Sequence, residues 1–439
     1  MQTNESTEWF SVTLIAWLCV RRLVEPLSFS FLILRFEQQA SRRERENQQD
    51  RAPVMKLSTQ DQEVCQDRTL QVLDRTLHDY EATALWALGS NNNHDGLDQR
   101  GWKKLRSQAD VSLYADHSAS DRAWMSAMRG DEWKHPIAVV AVGHMSCSLD
   151  DLLFGMTASS PAELKLREVL VDSDVASERV DFAAIATPSQ DEPFRFMGVT
   201  RYVTTVSKFR RPREYVLACA QGEVTSASGE RLGYEINQSV ALDQWSVRES
   251  LCRGQLIHAR VLRELPDGSV GVYYKLIVDA KTLMPDSVVH AAIWKAVQRF
   301  WELAPRCAET RKLCCCVDHK RALHLTNLQA KSRFTDPLRC CVCKVSLPDR
   351  RRKSLGSSVT TSLTHGASMQ TYWCVLCTSW LCSKANCCEV RQLVRVDRST
   401  LEVHQQNVTL CVKCARIIRC KNASDMARCA LQQDRPQVS

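Results

Sequence analysis

Apolar residues recur at two different periods along this chain, and the change of period marks its organisation. Leu70, Leu73, Leu77, Ala84 and Leu88 fall at three- and four-residue steps, which predicts a helix from about Thr59 to Leu88. Gly89 and Asn91-Asn92-Asn93 close it. Trp102 to Tyr114 alternates loosely, as a first strand pair does, and Ile137 to Val142 is a short continuous apolar strand. Ser148, with Asp151 three residues on, predicts a helix start for Leu149 to Phe154, because a hydroxyl and a carboxylate satisfy unpaired N–H groups there. After Pro193 the period becomes that of strands. Phe196 to Val206 is one; Glu214 to Val224 and Arg231 to Leu242 flank Ala227-Ser228-Gly229. Leu256 to Glu264 and Ser269 to Val278 flank Pro266-Asp267-Gly268, where Pro and Gly supply turn dihedrals. Val270, Val272, Tyr274, Leu276 and Val278 share one face of the last strand, and something must cover it. Pro285-Asp286-Ser287 opens a helix whose Val289, Ile293, Ala296, Phe300 and Leu303 form an apolar stripe. Pro305 is expected to end that helix. Meandering antiparallel strands closed by a long helix predict one α+β domain over residues 60–305.

The flanks read differently. Trp9 to Val20 and Leu27 to Leu34 are apolar runs, both shorter than the roughly 20 residues a spanning helix needs. No Lys or Arg precedes Trp9, as a secretory signal would require. Residues 1–54, apolar and then charged, are expected to be an extension outside the fold, with Met55 as the true start. Residues 306–335 read as a basic linker and 421–439 as a disordered tail.

The 439 residues allow two or three domains. A net charge of +8 is modest, so its location counts for more than its size. Of 21 cysteines, five precede residue 300 and sixteen follow it. A secreted disulfide scaffold would be short and Cys-dense throughout, so the pattern fits metal binding in a reducing, cytoplasmic compartment. The chain has no G-x-S-x-G elbow, phosphate-gripping Gly-rich loop or H-E-x-x-H, which predicts a protein that is not an enzyme. Asp150-Asp151 suit a helix start, and His258, inside a strand, reads as structural.

The C-terminal chemistry is sharper. Cys340/Cys343, Cys374/Cys377 and Cys411/Cys414 are C-x-x-C pairs, and Cys382/Cys387 lies between the second and third. Two thiolates on one tight turn can both reach one tetrahedral metal at roughly 2.3 Å, and zinc is the usual choice. Eight sulfurs in four pairs therefore predict two Zn2+ sites within a finger over 336–420. Cys314-Cys315-Cys316 cannot all point at one metal and read as loop thiols; Cys420 and Cys429 read as free thiols. Arg350-Arg351-Arg352-Lys353 is a candidate contact for an anionic membrane, worth roughly 1 kcal/mol per residue at the surface. It also suits a nuclear-localisation patch or a solvated loop.

Two resemblances add to this reading. Pro193-Phe194-Arg195-Phe196-Met197-Gly198-Val199, Gly229-Glu230-Arg231-Leu232-Gly233 and Arg263-Glu264-Leu265-Pro266-Asp267-Gly268-Ser269-Val270 resemble phrases of START-like domains, over about residues 80–305. Those are helix-grip folds, in which a curved antiparallel sheet wraps a C-terminal helix around a lipid-sized cavity. The resemblance implies a lipid ligand, with Val272, Tyr274, Leu276, Ile293, Val297 and Phe300 lining the cavity; a filled core suits the same residues equally. The cysteine spacing resembles the FYVE-type zinc finger. That resemblance implies interleaved pairs: Cys340, Cys343, Cys382 and Cys387 on one zinc, and Cys374, Cys377, Cys411 and Cys414 on the other. Cys341 and Cys388 are neighbours that could substitute for a ligand. The family's basic R-[RK]-H-H-C-R motif for phosphatidylinositol 3-phosphate is absent, since Met369-Gln370-Thr371-Tyr372-Trp373 precedes Cys374 and Val375 follows it. Together the two resemblances imply a lipid-binding domain joined to a finger that acts as a membrane or protein adaptor, peripheral on endosomal membranes. A RING-like ubiquitin ligase would place a histidine between Cys374 and Cys387, and none is there. A purely structural interaction module without a lipid is the other alternative. Nucleic-acid binding lacks a recognition-helix pattern.

Overall fold

The computed structural model describes residues 56–87, 102–116, 133, 136–171, 177–204, 212–242, 245, 250–279, 285–326, 339–347 and 371–433. The extension over 1–54, Met55 and the run Arg350–Lys353 lie outside the described residues. Contacts divide the chain into Met1–Met55 and Lys56–Ser439, and the second unit is described below.

Local chemistry sets the ends of several elements. Helix α1 (Thr59–Ala87) starts at Ser58, whose hydroxyl accepts from the Asp61 N–H at 3.1 Å and donates to its carboxylate at 2.8 Å. Strands β1 (Trp102–Gln108) and β2 (Val111–Asp116) form the expected first pair, followed by β3 (Pro136–Met145). Helix α2 (Leu149–Met156) begins at Ser148, which accepts from the Asp151 N–H at 3.2 Å. Helix α3 (Pro161–Val171) and strand β4 (Ser177–Ala186) follow, neither of which the hydrophobic pattern signalled. Strands β5 (Phe196–Thr204), β6 (Arg213–Thr225), β7 (Arg231–Ser239), β8 (Cys252–Arg253), β9 (Gln255–Glu264) and β10 (Val270–Asp279) complete the sheet. The β9–β10 turn places Gly268 at φ +79°, a left-handed conformation that favours glycine.

The strand order is β1-β2-β3-β10-β9-β7-β6-β5-β4, antiparallel throughout, with short β8 parallel to β6. Both faces are covered. On one, Val72 and Leu73 of α1 meet Ala138, Ile236, Ile257, Ala259 and Ile277. On the other, α2 and α4 (Asp286–Thr326) bury Val270, Val272 and Tyr274 beneath Val289, Ile293, Val297, Phe300 and Ala304. Burial on both sides explains why β10 is nearly all apolar rather than strictly alternating.

Helix α4 corrects one expectation. Pro305 lies inside it, and the supposed linker is helical as far as Thr326. A proline in a helix forfeits one hydrogen bond and crowds the preceding turn. Tertiary contacts hold the helix across it. Cys307, Ala308, Leu313 and Val317 are buried, and Arg311 donates to the Phe154 and Thr157 carbonyls at the C-terminus of α2. Gly155 lets the two helices touch, since a Cβ there would stand 2.9 Å from the Ala308 nitrogen.

Beyond α4 lie two small hairpins, β11 (Thr371–Trp373) with β12 (Trp380–Cys382) and β13 (Cys388–Val396) with β14 (Val403–Cys411), then α5 (Val412–Cys420) and α6 (Ala423–Gln433). The expected disordered tail thus begins with a helix, whose Ala423 and Ala427 join the core beneath α4. Leu313 and Val317 of α4 are buried in the cysteine-rich core. One helix therefore serves two cores.

Candidate functional site

The sheet face under α4 is not evenly filled. At β10 the six residues expected to line a cavity, Val272, Tyr274, Leu276, Ile293, Val297 and Phe300, meet in one packed cluster. The open volume lies further along the same face, a cavity of about 410 Å³ between α3 and strands β5, β6, β7 and β9. Every second residue of those strands faces it: Thr200 and Tyr202, Leu217, Cys219 and Gln221, Glu235 and Asn237, and Leu256, His258 and Arg260. Leu164, Arg167, Glu168 and Val171 of α3 form the opposite wall. Packing separates the two regions. The Arg260 guanidinium lies 3.7 Å from the Phe300 ring centroid and 4.7 Å from that of Tyr274, closing the α4 side. Of the six candidates, Tyr274 and Phe300 thus back the cavity wall.

Glu235 organises the polar end of the cavity. It accepts from Arg167 at 2.8 Å and from Arg260 at 2.6 Å, and Asn237 donates to it at 3.3 Å. His258 Nε2 stands 3.9 Å away. Burial alone would raise the Glu235 carboxyl, but Arg167 and Arg260 hold it well below the usual carboxylate range. Burial, and then Arg260, pull the His258 imidazole down to about 3, so it is neutral at physiological pH. Burial pushes the Cys219 thiol up to about 11, leaving it unreactive. The Cys219 sulfur pairs with the Thr200 hydroxyl at 3.2 Å, and among the described residues no base is hydrogen-bonded to it.

The sulfurs of Cys340, Cys343, Cys382 and Cys387 all lie within 4.8 Å of one another, as do those of Cys374, Cys377, Cys411 and Cys414. The pairs alternate along the chain. Two turns of the same form carry the first members. The Lys344 N–H donates to the Cys340 carbonyl at 2.9 Å and the Thr378 N–H to that of Cys374 at 3.0 Å, with Lys344 at φ 63° and Thr378 at φ 56°. The fourth pair opens α5, where the Cys411 sulfur accepts from the Cys414 N–H at 3.3 Å.

These distances fit a metal ion. Bonds of about 2.3 Å to a tetrahedral centre place sulfurs about 3.8 Å apart. Cys343 and Cys382 are 3.7 Å apart, and Cys377 and Cys411 are 3.8 Å apart. Burial raises the Cys340 thiol, but N–H groups of Cys343, Cys382 and Val342 outweigh it and bring it down to about 6. Burial and the neighbouring sulfurs push Cys387 and Cys414 far up. Without a cation four adjacent thiolates repel, and a dication displaces the remaining protons. Cys341 and Cys388 stand outside both groups. The Cys314–Cys316 thiols lie on α4 rather than in a loop, and Cys314 donates to the Val394 carbonyl at 3.1 Å.

No family model matches the chain, and no curated protein matches it. Among solved structures it is similar to human STARD10, at 14% identity over 54% of this chain and 85% of that one, with a TM-score of 0.34. It is similar to human StAR-related lipid transfer protein 5, at 15% identity over 54% and 97%, with a TM-score of 0.35. For the lipid transfer and protein localization domain of human StarD13 the identity is 13%, over 50% and 98%, with a TM-score of 0.32. At these scores the likeness is slight, and the α+β architecture stands on the chain's own sheet order and helices. No helix among the described residues is long and apolar enough to cross a membrane.

Proposed function

We propose that this is a non-enzymatic zinc protein. Residues 60–305 form a START-like domain that holds one lipid, and a FYVE-related finger joined to it by α4 acts as a membrane or protein adaptor. The cavity of about 410 Å³ carries the reading. Its size falls within the roughly 300–1,000 Å³ typical of ligand sites, and its wall combines apolar residues such as Leu164, Val171, Phe196, Leu217 and Leu256 with polar groups gathered around Glu235. A domain built only for packing would fill that volume, as the region beneath α4 is filled.

Cys340, Cys343, Cys382 and Cys387 hold one Zn2+, and Cys374, Cys377, Cys411 and Cys414 hold the other, each site closed by four thiolates and therefore structural. Arg350, Arg351, Arg352 and Lys353 are the proposed contact for an anionic surface, because no basic motif stands around Cys374. A cytoplasmic protein peripheral on endosomal membranes follows from that pairing of parts. The test is extraction of the natively purified full chain, followed by uptake of fluorescent sterol, fatty acid or phospholipid. Recovered lipid, or saturable uptake, is the expected result; absence of both overturns the lipid reading.

A further inference from the structure

We propose that the cavity takes a single-chain amphiphile with a monoanionic head, a long-chain carboxylate whose head sits beside Glu235 and shares its two arginines, Arg167 and Arg260. The inference rests on the lipid-binding reading and specifies its ligand. Charge comes first. Arg167 and Arg260 converge on one carboxylate, Glu235, at 2.8 and 2.6 Å. Glu168 also lines the cavity but is taken up by Lys165 at 3.5 Å. With Lys165 counted against Glu168, this end of the cavity holds three cations and two carboxylates, so Arg167 and Arg260 share one counter-charge between them, and a partly desolvated excess charge favours an anionic ligand.

The hydrogen-bond inventory points the same way. Of the buried side-chain atoms without a hydrogen-bond partner among the described residues, three belong to the cavity lining: the donors Arg260 Nε and Gln221 Nε2, and His258 Nε2, which donates in its Nε2–H tautomer. A carboxylate accepts from two or three N–H groups and meets guanidinium edges in a fork. A neutral alcohol leaves the excess charge in place, whereas a phosphate dianion overshoots it. Size sets the chain count. At about 410 Å³ the cavity lies near the small end of ligand sites, which favours one chain over two.

Calorimetric titration of the delipidated full chain with dodecanoate, dodecanol and two-chain phosphatidylcholine tests this. Dodecanoate is expected to bind at least tenfold more tightly than dodecanol, since a charge-assisted hydrogen bond is worth about that factor or more. Arg167→Gln is expected to weaken dodecanoate roughly ten- to hundredfold and so to remove most of its margin over dodecanol. Glu235→Gln keeps the side-chain shape and adds net positive charge, so it should tighten dodecanoate; thermal unfolding shows that each variant is folded. Equal affinity for dodecanoate and dodecanol, or weaker dodecanoate binding by Glu235→Gln, overturns the anionic head while the lipid reading stands. Tighter phosphatidylcholine binding overturns the single chain. If none of the three binds while fluorescent sterol is taken up, the carboxylate ligand fails and the lipid reading stands; if nothing is taken up, the lipid reading itself fails.

Discussion

His258 shows how one half-buried side chain sets a pH response. Its imidazole stands beside Glu235 and Arg260 on the same sheet face, with Arg167 on the opposite wall, and its ring centroid lies 4.9 Å from that of Tyr274. Its folded pKa is lowered from 6.5 to about 3, so between those values the unfolded chain binds a proton that the folded chain does not. Stability is unaffected above pH 6.5 and falls as pH drops below it, by about 1.4 kcal/mol per unit. Glu235 adds to the loss only below the ordinary carboxylate range, where its depressed pKa begins to count. Denaturant unfolding should therefore show about 2 kcal/mol lost between about pH 6.5 and 5, and His258→Gln should abolish that slope. A native chain whose stability is flat over this interval would contradict a neutral buried His258.

At the scale of elements, α4 decides how the chain is put together. Because Pro305 sits inside a continuous helix, Pro305→Ala restores a hydrogen bond and removes a steric conflict. Chemical denaturation should show a gain of about 1–3 kcal/mol; a loss would mean that the helix breaks there. Hairpins and first turns were legible in the sequence because their causes are local: Gly268 for its turn, Ser148 for its cap, and Cys pairs for their knuckles. Helix α3 also carried a local signal that the hydrophobic pattern hid. Pro161 occupies its first turn, and the Glu163 carboxylate accepts from the Ser159 N–H at 2.8 Å. The passage through Pro305 was not legible, since it depends on carbonyls of α2 reached by Arg311 far along the chain. Nor was the cavity. Alternation places Glu235, His258 and Arg260 on one face, but inward polar residues look like a solvated face until α3 covers them.

At the scale of the whole unit, the cysteine-rich lobe and the sheet domain share their cores. Leu313 and Val317 extend from α4 into the former, and Ala423 and Ala427 return from α6 to the latter. Polar links reinforce the junction. The buried Lys312 ammonium lies 2.6 Å from Asp151, and Gln190 and Arg428 each donate to the other's carbonyl, at 2.9 and 3.0 Å. Zinc bound to the lobe is therefore expected to stabilise the sheet domain as well, because ligation energy becomes folding energy. Chelation should lower the thermal midpoint reported by far-ultraviolet circular dichroism of the full chain, in one transition. A sheet signal that melts unchanged after both metals are removed would show that the lobes are independent.

Native mass spectrometry of this chain weighs an occupied cavity and a metal-bound lobe together. The expected mass exceeds the polypeptide by two zinc ions and one small lipid, with the zinc lost on chelation and the lipid lost on organic extraction. A bare polypeptide mass, from protein shown to be folded, would contradict it.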